Sequence, residues 1–430
     1  MPQGKEKSLP KMTEKTNKKA TPRAAKTASK GVIALHCLCA DAGAGVSENE
    51  RALARALILW QMESGRWGLP WMVNDPYRRW VSEIMLQQTQ VSVVRGYYAR
   101  FLAAFPTVRA LAQARDEEVM ALWSGLGYYS RAANLLKAAR RVEEDLHGVF
   151  PQDAKTLSEL PGIGPSTAAA IASFCSGEAA AIFDGNVKRV LSRVAASALP
   201  VNTAAGVSAI RAFAQRMIDG LCSDAGEEQK ELSKRLLAHE KTLSPEARTP
   251  LAGRFNQALM DLGAMLCTRT KPACMLCPIR AWCRAAADGR IDHFPVKTAA
   301  RARGSRDMHL VLCRDGKGRV LLETRATRGI WPGLMCLPPL EALGDAERET
   351  LAQNEKQGEK QGRAQTTVLF HALTHVDLRI VIHKISVVSV DGSAPPLKAG
   401  SRGTAVFKSL TELERLPLPA PIKTYLESLK

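Results

Sequence analysis

Between about residue 50 and residue 293, apolar side chains recur every three or four positions, as at Trp80, Ile84, Val91 and Val94, with Gly and Pro punctuating the runs. This is the period at which an α-helix turns one face inward, so the stretch predicts an all-helical domain over 50–293. Beyond it the rhythm changes. Residues 309–313, 320–323, 367–370 and 378–390 alternate in polarity or are rich in β-branched side chains, which predicts a smaller α/β domain over 306–430. The Lys-, Arg-, Ala- and Gly-rich residues 294–305 read as a linker. A tandem Glu-Lys-Gln-Gly at 355–362 predicts a flexible loop. Residues 1–49 read as a disordered basic tail, because residues 1–30 hold nine Lys or Arg against two Glu and no aromatic. The short apolar patch at 32–40 imitates an export signal, but the basic stretch ahead of it is too long and His36 interrupts it.

Composition narrows the class. A chain of 430 residues suffices for two or three domains. With 46% hydrophobic and 24% charged residues it has the apolar area to offset ordering entropy, which excludes wholesale disorder. Every long apolar run is broken by a charge before the roughly 20 residues of a bilayer span, so a membrane-spanning protein is excluded as well. Sixty Lys and Arg against 42 Asp and Glu leave +18, a field suited to a polyanion such as nucleic acid or an anionic membrane surface.

Four of the ten Cys crowd one segment, Cys267, Cys274, Cys277 and Cys283, in the spacing C-x6-C-x2-C-x5-C. So tight a quartet in a large chain points to a metal site in a reducing compartment rather than to a disulfide scaffold. Soft thiolates suit zinc or iron–sulfur. A zinc ribbon uses two CxxC pairs and here there is one, which favours a [4Fe-4S] cluster. Four unrelated buried thiols are the plain alternative.

Three further stretches carry candidate chemistry. In Leu160-Pro-Gly-Ile-Gly-Pro-Ser-Thr-Ala168, Gly162 and Gly164 permit a tight turn and leave N–H groups bare at the start of the next helix, where a phosphate is stabilised. A plain helical turn is the bland reading. Asp184, before the helical run Asn-Val-Lys-Arg-Val, has the position of an N-cap. In the helix beginning near Tyr77, Glu83 lies among Trp80, Ile84, Met85 and Leu86; burial there raises a carboxyl pKa toward that of a general acid, whereas an exposed Glu would pair with Arg79 four residues back.

The cysteine spacing, the hairpin with Asp184-Gly-Asn186, the string Ser82-Glu-Ile-Met-Leu-Gln-Gln-Thr-Gln90 and Gly125-Leu-Gly-Tyr-Tyr-Ser-Arg131 together resemble the endonuclease III and adenine glycosylase (MutY) family of DNA repair enzymes, in the helix-hairpin-helix Gly-Pro-Asp superfamily. The resemblance implies an adenine glycosylase acting on double-stranded DNA with adenine opposite 8-oxoguanine or guanine, carrying a structural [4Fe-4S] cluster in the loop 267–283 with the basic residues Arg269, Lys271 and Arg280. Glu83 would protonate the purine N7 and help activate water, while Asp184, with Asn186 beside it, faces a sugar that becomes oxocarbenium-like. Gln87, Gln88 and Tyr128 would wedge the duplex as the base is extruded, and Gly162, Gly164 and Ser166 would lie on the DNA-binding hairpin. Bifunctional relatives carry a Lys where this chain has Ser166, and a hydroxyl forms no imine, so a monofunctional hydrolase is expected. Residues 306–430, through Gly329-Ile-Trp-Pro-Gly-Leu-Met-Cys-Leu-Pro338 and His371-Ala-Leu-Thr-His375, resemble the MutT-like (Nudix-like) recognition domain of the same enzymes. The glutamate box of a nucleotide pyrophosphatase is missing after Arg348-Glu349, so the domain would read 8-oxoguanine with Thr374 and His375. Leu373 stands where the family has an aromatic, and Met72 follows Leu69-Pro-Trp71 where it often has Arg. Residues 222–250 look like a charged surface insertion. A monomer in the cytoplasm, at the nucleoid of a bacterial-type cell, is the expected setting. An endonuclease III-like lyase and a catalytically silent iron–sulfur DNA-binding protein are the rival readings.

Overall fold

The structure, a computed structural model, describes residues 46–299, 302–326, 329–343, 349, 366–373, 375–386 and 405–430. The expected basic tail up to residue 45, the loop at 355–362, the end of the predicted strand at 387–390 and Thr374 lie outside the described residues.

The helical part runs α1 (Glu48–Ser64), α2 (Pro76–Leu86), α3 (Val91–Ala104), α4 (Val108–Ala112), α5 (Asp116–Trp123), α6 (Ser130–Asp145), α7 (Ala154–Leu157), α8 (Pro165–Cys175), α9 (Gly185–Val194), α10 (Ala204–Ser223), α11 (Glu227–Glu240), α12 (Leu251–Met265) and α13 (Arg284–Ala287). Helix α1 begins at Glu48, inside the stretch 1–49 expected to be a tail. Ser47 and Glu50 cap α1 reciprocally, each side chain taking the other's backbone N–H. Two apolar cores share α8. Trp80, Phe101, Trp123 and Leu135 fill one; Leu57, Phe213, Phe255 and Leu259 fill the other. The alanines of α8 divide between them, Ala168 and Ala172 toward the first, Ala169 and Ala170 toward the second. Small side chains on both faces let one helix serve two packed layers.

The expected insertion at 222–250 contains α11, whose Leu232 and Leu236 are buried against the second core. Residues 294–299 are strapped to the helical domain rather than free, for Val201 N donates to Val296 O at 2.9 Å and Thr298 N to Asn202 Oδ1 at 3.0 Å.

The C-terminal part contains β1 (Gly304–Arg314), β2 (Val320–Thr324), β3 (Met335–Cys336), β4 (Thr366–Ala372), β5 (Val376–Ser386), β6 (Ala405–Lys408) and α14 (Ala420–Glu427). The sheet order is β3-β2-β1-β5-β4, with β6 also on β2. β1 pairs β5 in parallel from Gly304↔Val376 to Arg314↔Ser386, and the other pairings are antiparallel. β1 starts five residues ahead of the apolar run that announces it. Its first half, Gly-Ser-Arg-Asp, is exposed and polar, so backbone pairing with β5 rather than burial defines it. The two domains share a core: Leu310, Leu418 and Tyr425 belong to the same apolar cluster as Trp123 and Tyr129. Ser124 Oγ and Tyr129 OH both donate to the Leu418 carbonyl, at 3.3 and 3.2 Å. No helix among the described residues is long and apolar enough to cross a membrane.

Candidate active site

A pocket of about 320 Å³ opens where the two helical cores meet, with Glu83, Gln87, Ser166, Asp184, Asn186 and Met260 among its lining residues. Its size is that of a small-ligand site. α2 delivers Glu83. Asp75 caps this helix by accepting from Arg78 N at 2.8 Å, Pro76 opens it, and Tyr77, Trp80, Val81, Ile84 and Met85 anchor it in the core. Glu83 therefore projects from a helix that has no freedom to roll. Burial pushes its carboxyl above the ordinary glutamate range, Asp184 adds to the rise, and Arg79 opposes it. The two sequence readings of Glu83 coexist, since Arg79 Nε also lies 3.4 Å from Glu83 Oε1. The guanidinium is not at the surface, however; Arg79 is 3% exposed.

Asp184 is the N-cap of α9. Its Oδ1 accepts from Val187 N at 2.8 Å and its Oδ2 from Asn186 Nδ2 at 3.3 Å. Val187, Val190, Leu191 and Val194 bury the opposite face of the helix and fix that cap. The cap alone argues for a carboxyl held low, but burial outweighs the hydrogen bonds and Arg189, and Asp184 sits above the ordinary aspartate range. The extended strand leading into it hangs on side chains from three helices. Ala181 N donates to Gln215 Oε1 at 3.0 Å, Ile182 N to Asn256 Oδ1 at 3.2 Å and Phe183 N to Ser166 Oγ at 3.1 Å. Ser166 thus lines the pocket and holds the residue before Asp184. Lys188 is not among the lining residues; its Nζ lies 5.9 Å from the Phe183 ring centroid.

In the hairpin between α7 and α8 only Gly162 has a left-handed backbone, at φ +78°, and a Cβ there would stand 2.7 Å from Asn134 Cβ. Gly164 is an ordinary N-cap at φ −81° with no side-chain cap over the first N–H groups of α8. Gln88 and Tyr128 carry positive φ, 59° and 49°, and Tyr128 is 44% exposed. Both turns are gripped by Arg131. Its NH1 donates to the carbonyls of Ile84, Met85 and Gln87, and its NH2 to those of Leu126 and Gly127. A single buried cation therefore registers the Gln87–Gln88 turn against the Tyr128 loop. Gln87 itself donates to Thr167 Oγ1 at 3.3 Å, tying α2 to the hairpin.

Cys267, Cys274, Cys277 and Cys283 line one small cleft together with Leu266, Arg280 and Ile291. Arg193 NH1 donates to Cys267 Sγ at 3.3 Å and to Thr268 O at 2.7 Å, and Arg189 Nε to Cys267 O at 2.7 Å. No three Cys, His, Asp or Glu among the described residues are drawn together as a single metal ion requires. The all-thiol donor set, converging on one cleft beside the Arg189 and Arg193 guanidiniums, suits a soft, thiolate-held iron–sulfur group.

Between the domains lies a second cleft, of about 910 Å³, with Gly127 and Tyr128 on one wall and Trp331, His371, Leu373 and His375 on the other. Leu373 N donates to Val376 O at 2.9 Å, which puts His375 in the tight turn between β4 and β5. Trp331, at φ +55°, lies 5.9 Å from the His371 ring. Met72 is buried in the core, and the arginines lining the pocket are Arg66, which sequence reasoning missed, and Arg79, which it offered only as a partner for Glu83. Arg131 and Arg189 lie in the motif strings, but their roles show only in what they touch.

Residues 81–204 match the family model described as HhH-GPD superfamily base excision DNA repair protein, and residues 309–428 match that of the NUDIX domain. The adenine DNA glycosylase of Buchnera aphidicola subsp. Baizongia pistaciae is 30% identical over 383 residues, which cover 87% of this chain and 96% of its own. That of Buchnera aphidicola subsp. Acyrthosiphon pisum is 29% identical, over 88% of this chain and 97% of its own. The human adenine DNA glycosylase is 36% identical over 300 residues, 67% of this chain and 46% of the relative. A helix-hairpin-helix domain joined to a Nudix-like one, matched to such relatives along nearly its whole length, is a DNA glycosylase of base excision repair, and the chain belongs to the adenine DNA glycosylase family.

Proposed function

We propose that the enzyme hydrolyses the N-glycosidic bond of adenine mispaired with 8-oxoguanine or guanine in double-stranded DNA, without a strong lyase step. The observation that carries this is the meeting of Glu83 and Asp184 in one pocket, close enough for Asp184 to push the Glu83 carboxyl up. Two acids sharing one pocket divide their roles, one protonated and one ionised. Glu83 gives its proton to adenine N7, and the bonding pair leaves with the neutral base. Asp184, ionised and steadied by Val187 N and Asn186, stabilises the positive charge left on the sugar until water adds. Asn186 keeps the carboxylate turned toward the pocket. Gln87, Gln88 and Tyr128 fill the duplex from which the adenine is extruded, and the N–H groups after Gly162 and Gly164 take a phosphate.

In this reading His375, which lines the interdomain cleft with Tyr128, recognises 8-oxoguanine together with Thr374. The four Cys hold a [4Fe-4S] cluster that shapes the basic loop 267–283. The domains divide at the linker 294–305, and the enzyme works as a monomer in the cytoplasm. Single-turnover excision from duplexes with adenine opposite 8-oxoguanine, guanine and thymine should rank in that order; equal rates on all three would overturn the specificity. The absence of an amine at position 166 supports hydrolysis over lyase chemistry. Ser166→Lys should therefore trap covalently on DNA under borohydride while the parent traps little, and strong trapping by the parent would favour the bifunctional rival.

A further inference from the structure

Arg79 is a buried cation that the reaction as described does not use. It lies on α2 one turn before Glu83, and its Nε, 3.4 Å from Glu83 Oε1, makes no hydrogen bond. The rest of the guanidinium is immobilised. NH1 donates to Trp71 O at 2.8 Å, NH2 reaches Gln257 Oε1 at 3.4 Å, and the group lies flat over Phe174 with its carbon 3.4 Å from the ring centroid. Behind it Gln257 Nε2 donates to Asp261 Oδ1 at 2.8 Å, and Arg66 Nε donates to the same oxygen at 2.7 Å. A full charge held this firmly, in a place this dry, is unnecessary for packing a helix.

We propose that Arg79 is a positioning residue of the excision reaction, whose fixed guanidinium orients the Glu83 carboxyl toward the pocket and sets the pH at which it surrenders its proton. The proposal rests on the reading of Glu83 as the general acid. In the proton transfer the Glu83 O–H bond breaks and an N7–H bond forms, leaving a carboxylate in a poorly solvated site. Arg79 is the counter-ion to that carboxylate, with its Nε already 3.4 Å from Glu83 Oε1. The other charged and titratable groups around the pair are Asp184 at the N-cap of α9, which disfavours a charged Glu83, Asp261 of α12, which Arg66 neutralises, and Cys175 and Tyr98 beside Arg79. None but Arg79 is a cation in contact with Glu83. Burial and Asp184 push Glu83 up and Arg79 alone restrains it, so the acid keeps a usable proton without losing its readiness to release it.

The test is the pH dependence of single-turnover adenine excision by the full chain. Excision should fail as pH rises through the pKa of Glu83. In Arg79→Met that alkaline limb should move up by about one to three pH units, the shift an opposite charge at this distance imposes. Its plateau should drop, because the weaker acid transfers its proton more slowly. Arg79→Lys keeps the charge and should keep the limb near its parental place. Should the Met variant fold poorly, Arg79→Gln, neutral and polar, answers the same question. A limb that stays put in the neutral variants, whatever their absolute rates, overturns the proposal. Glu83→Gln separates the two layers: if it excises adenine like the parent, the role of Glu83 is wrong, whereas if it is inactive and the limb of Arg79→Met has not moved, only the role of Arg79 is.

Discussion

Asp184→Asn should lower single-turnover adenine excision by about 10²–10³-fold, the range lost when one electrostatic stabiliser of a developing charge is removed, while binding to mispaired duplex changes little. Glu83→Gln should cost about 10²–10⁴-fold, as expected for a general acid. The aspartate variant is the cleaner of the two because Asn caps a helix as well as Asp, so the bond from Val187 N survives and α9 stays in place. The stability sign is also fixed. Asp184 has a folded-state pKa above its ordinary value, so its contribution is fully present below the unfolded pKa and is lost as pH rises through the folded one. Asn has no such loss. Melting at pH 8 should therefore show Asp184→Asn at least as stable as the parent, with the two converging in acid. Near-normal excision would remove Asp184 from the chemistry.

Cys277→Ser should release the cluster loop and with it much of the affinity for DNA. Between Cys267 and Cys283 the described backbone has only two short 3-10 turns, Cys274–Leu276 and Arg280–Trp282, and no side-chain cap on either. So irregular a segment needs cross-linking from within. The parent should be brown, with about four irons per chain, and the variant pale. If Arg269, Lys271 and Arg280 each lose a phosphate, the slope of log affinity against log salt should become shallower by about 0.9 per contact, or roughly 2 to 3 in all. Zinc in place of iron, or a variant with full iron and an unchanged slope, would contradict the assignment.

Much of this architecture was legible because the residues concerned are read locally. A helical period, a Gly-rich hairpin and four close Cys need no tertiary knowledge; β1, β2, β4 and β5 overlap the runs expected to be strands, whereas β3 and β6 lie outside them. What escaped depends on burial. Arg79 was visible as a partner four residues from Glu83, but nothing in the helix says that Phe174, ninety-odd residues on, roofs it over. The polar start of β1 was lost for the opposite reason, since an exposed strand held by its partner's backbone has no apolar alternation to detect. The N-cap position of Asp184 was legible as a local fact, whereas the burial that raises its carboxyl was not.

The Leu418 carbonyl, where Ser124 and Tyr129 both end, bears on how this enzyme can be taken apart. Homology divides the chain at about residue 309, whereas the packing divides it nowhere so simple: Leu416, Leu418 and Tyr425, near the very end, complete a core begun by Trp123 and Leu126. Inheritance and architecture have drawn different borders. A truncated protein would bare that apolar face and free the loop that carries Tyr128, so its failure to extrude adenine would say little about which half reads the opposite base. A chimaera that borrowed its last hundred residues from a relative would have to bring the matching Trp123–Tyr129 surface with them. The unit that can be exchanged intact is the whole enzyme.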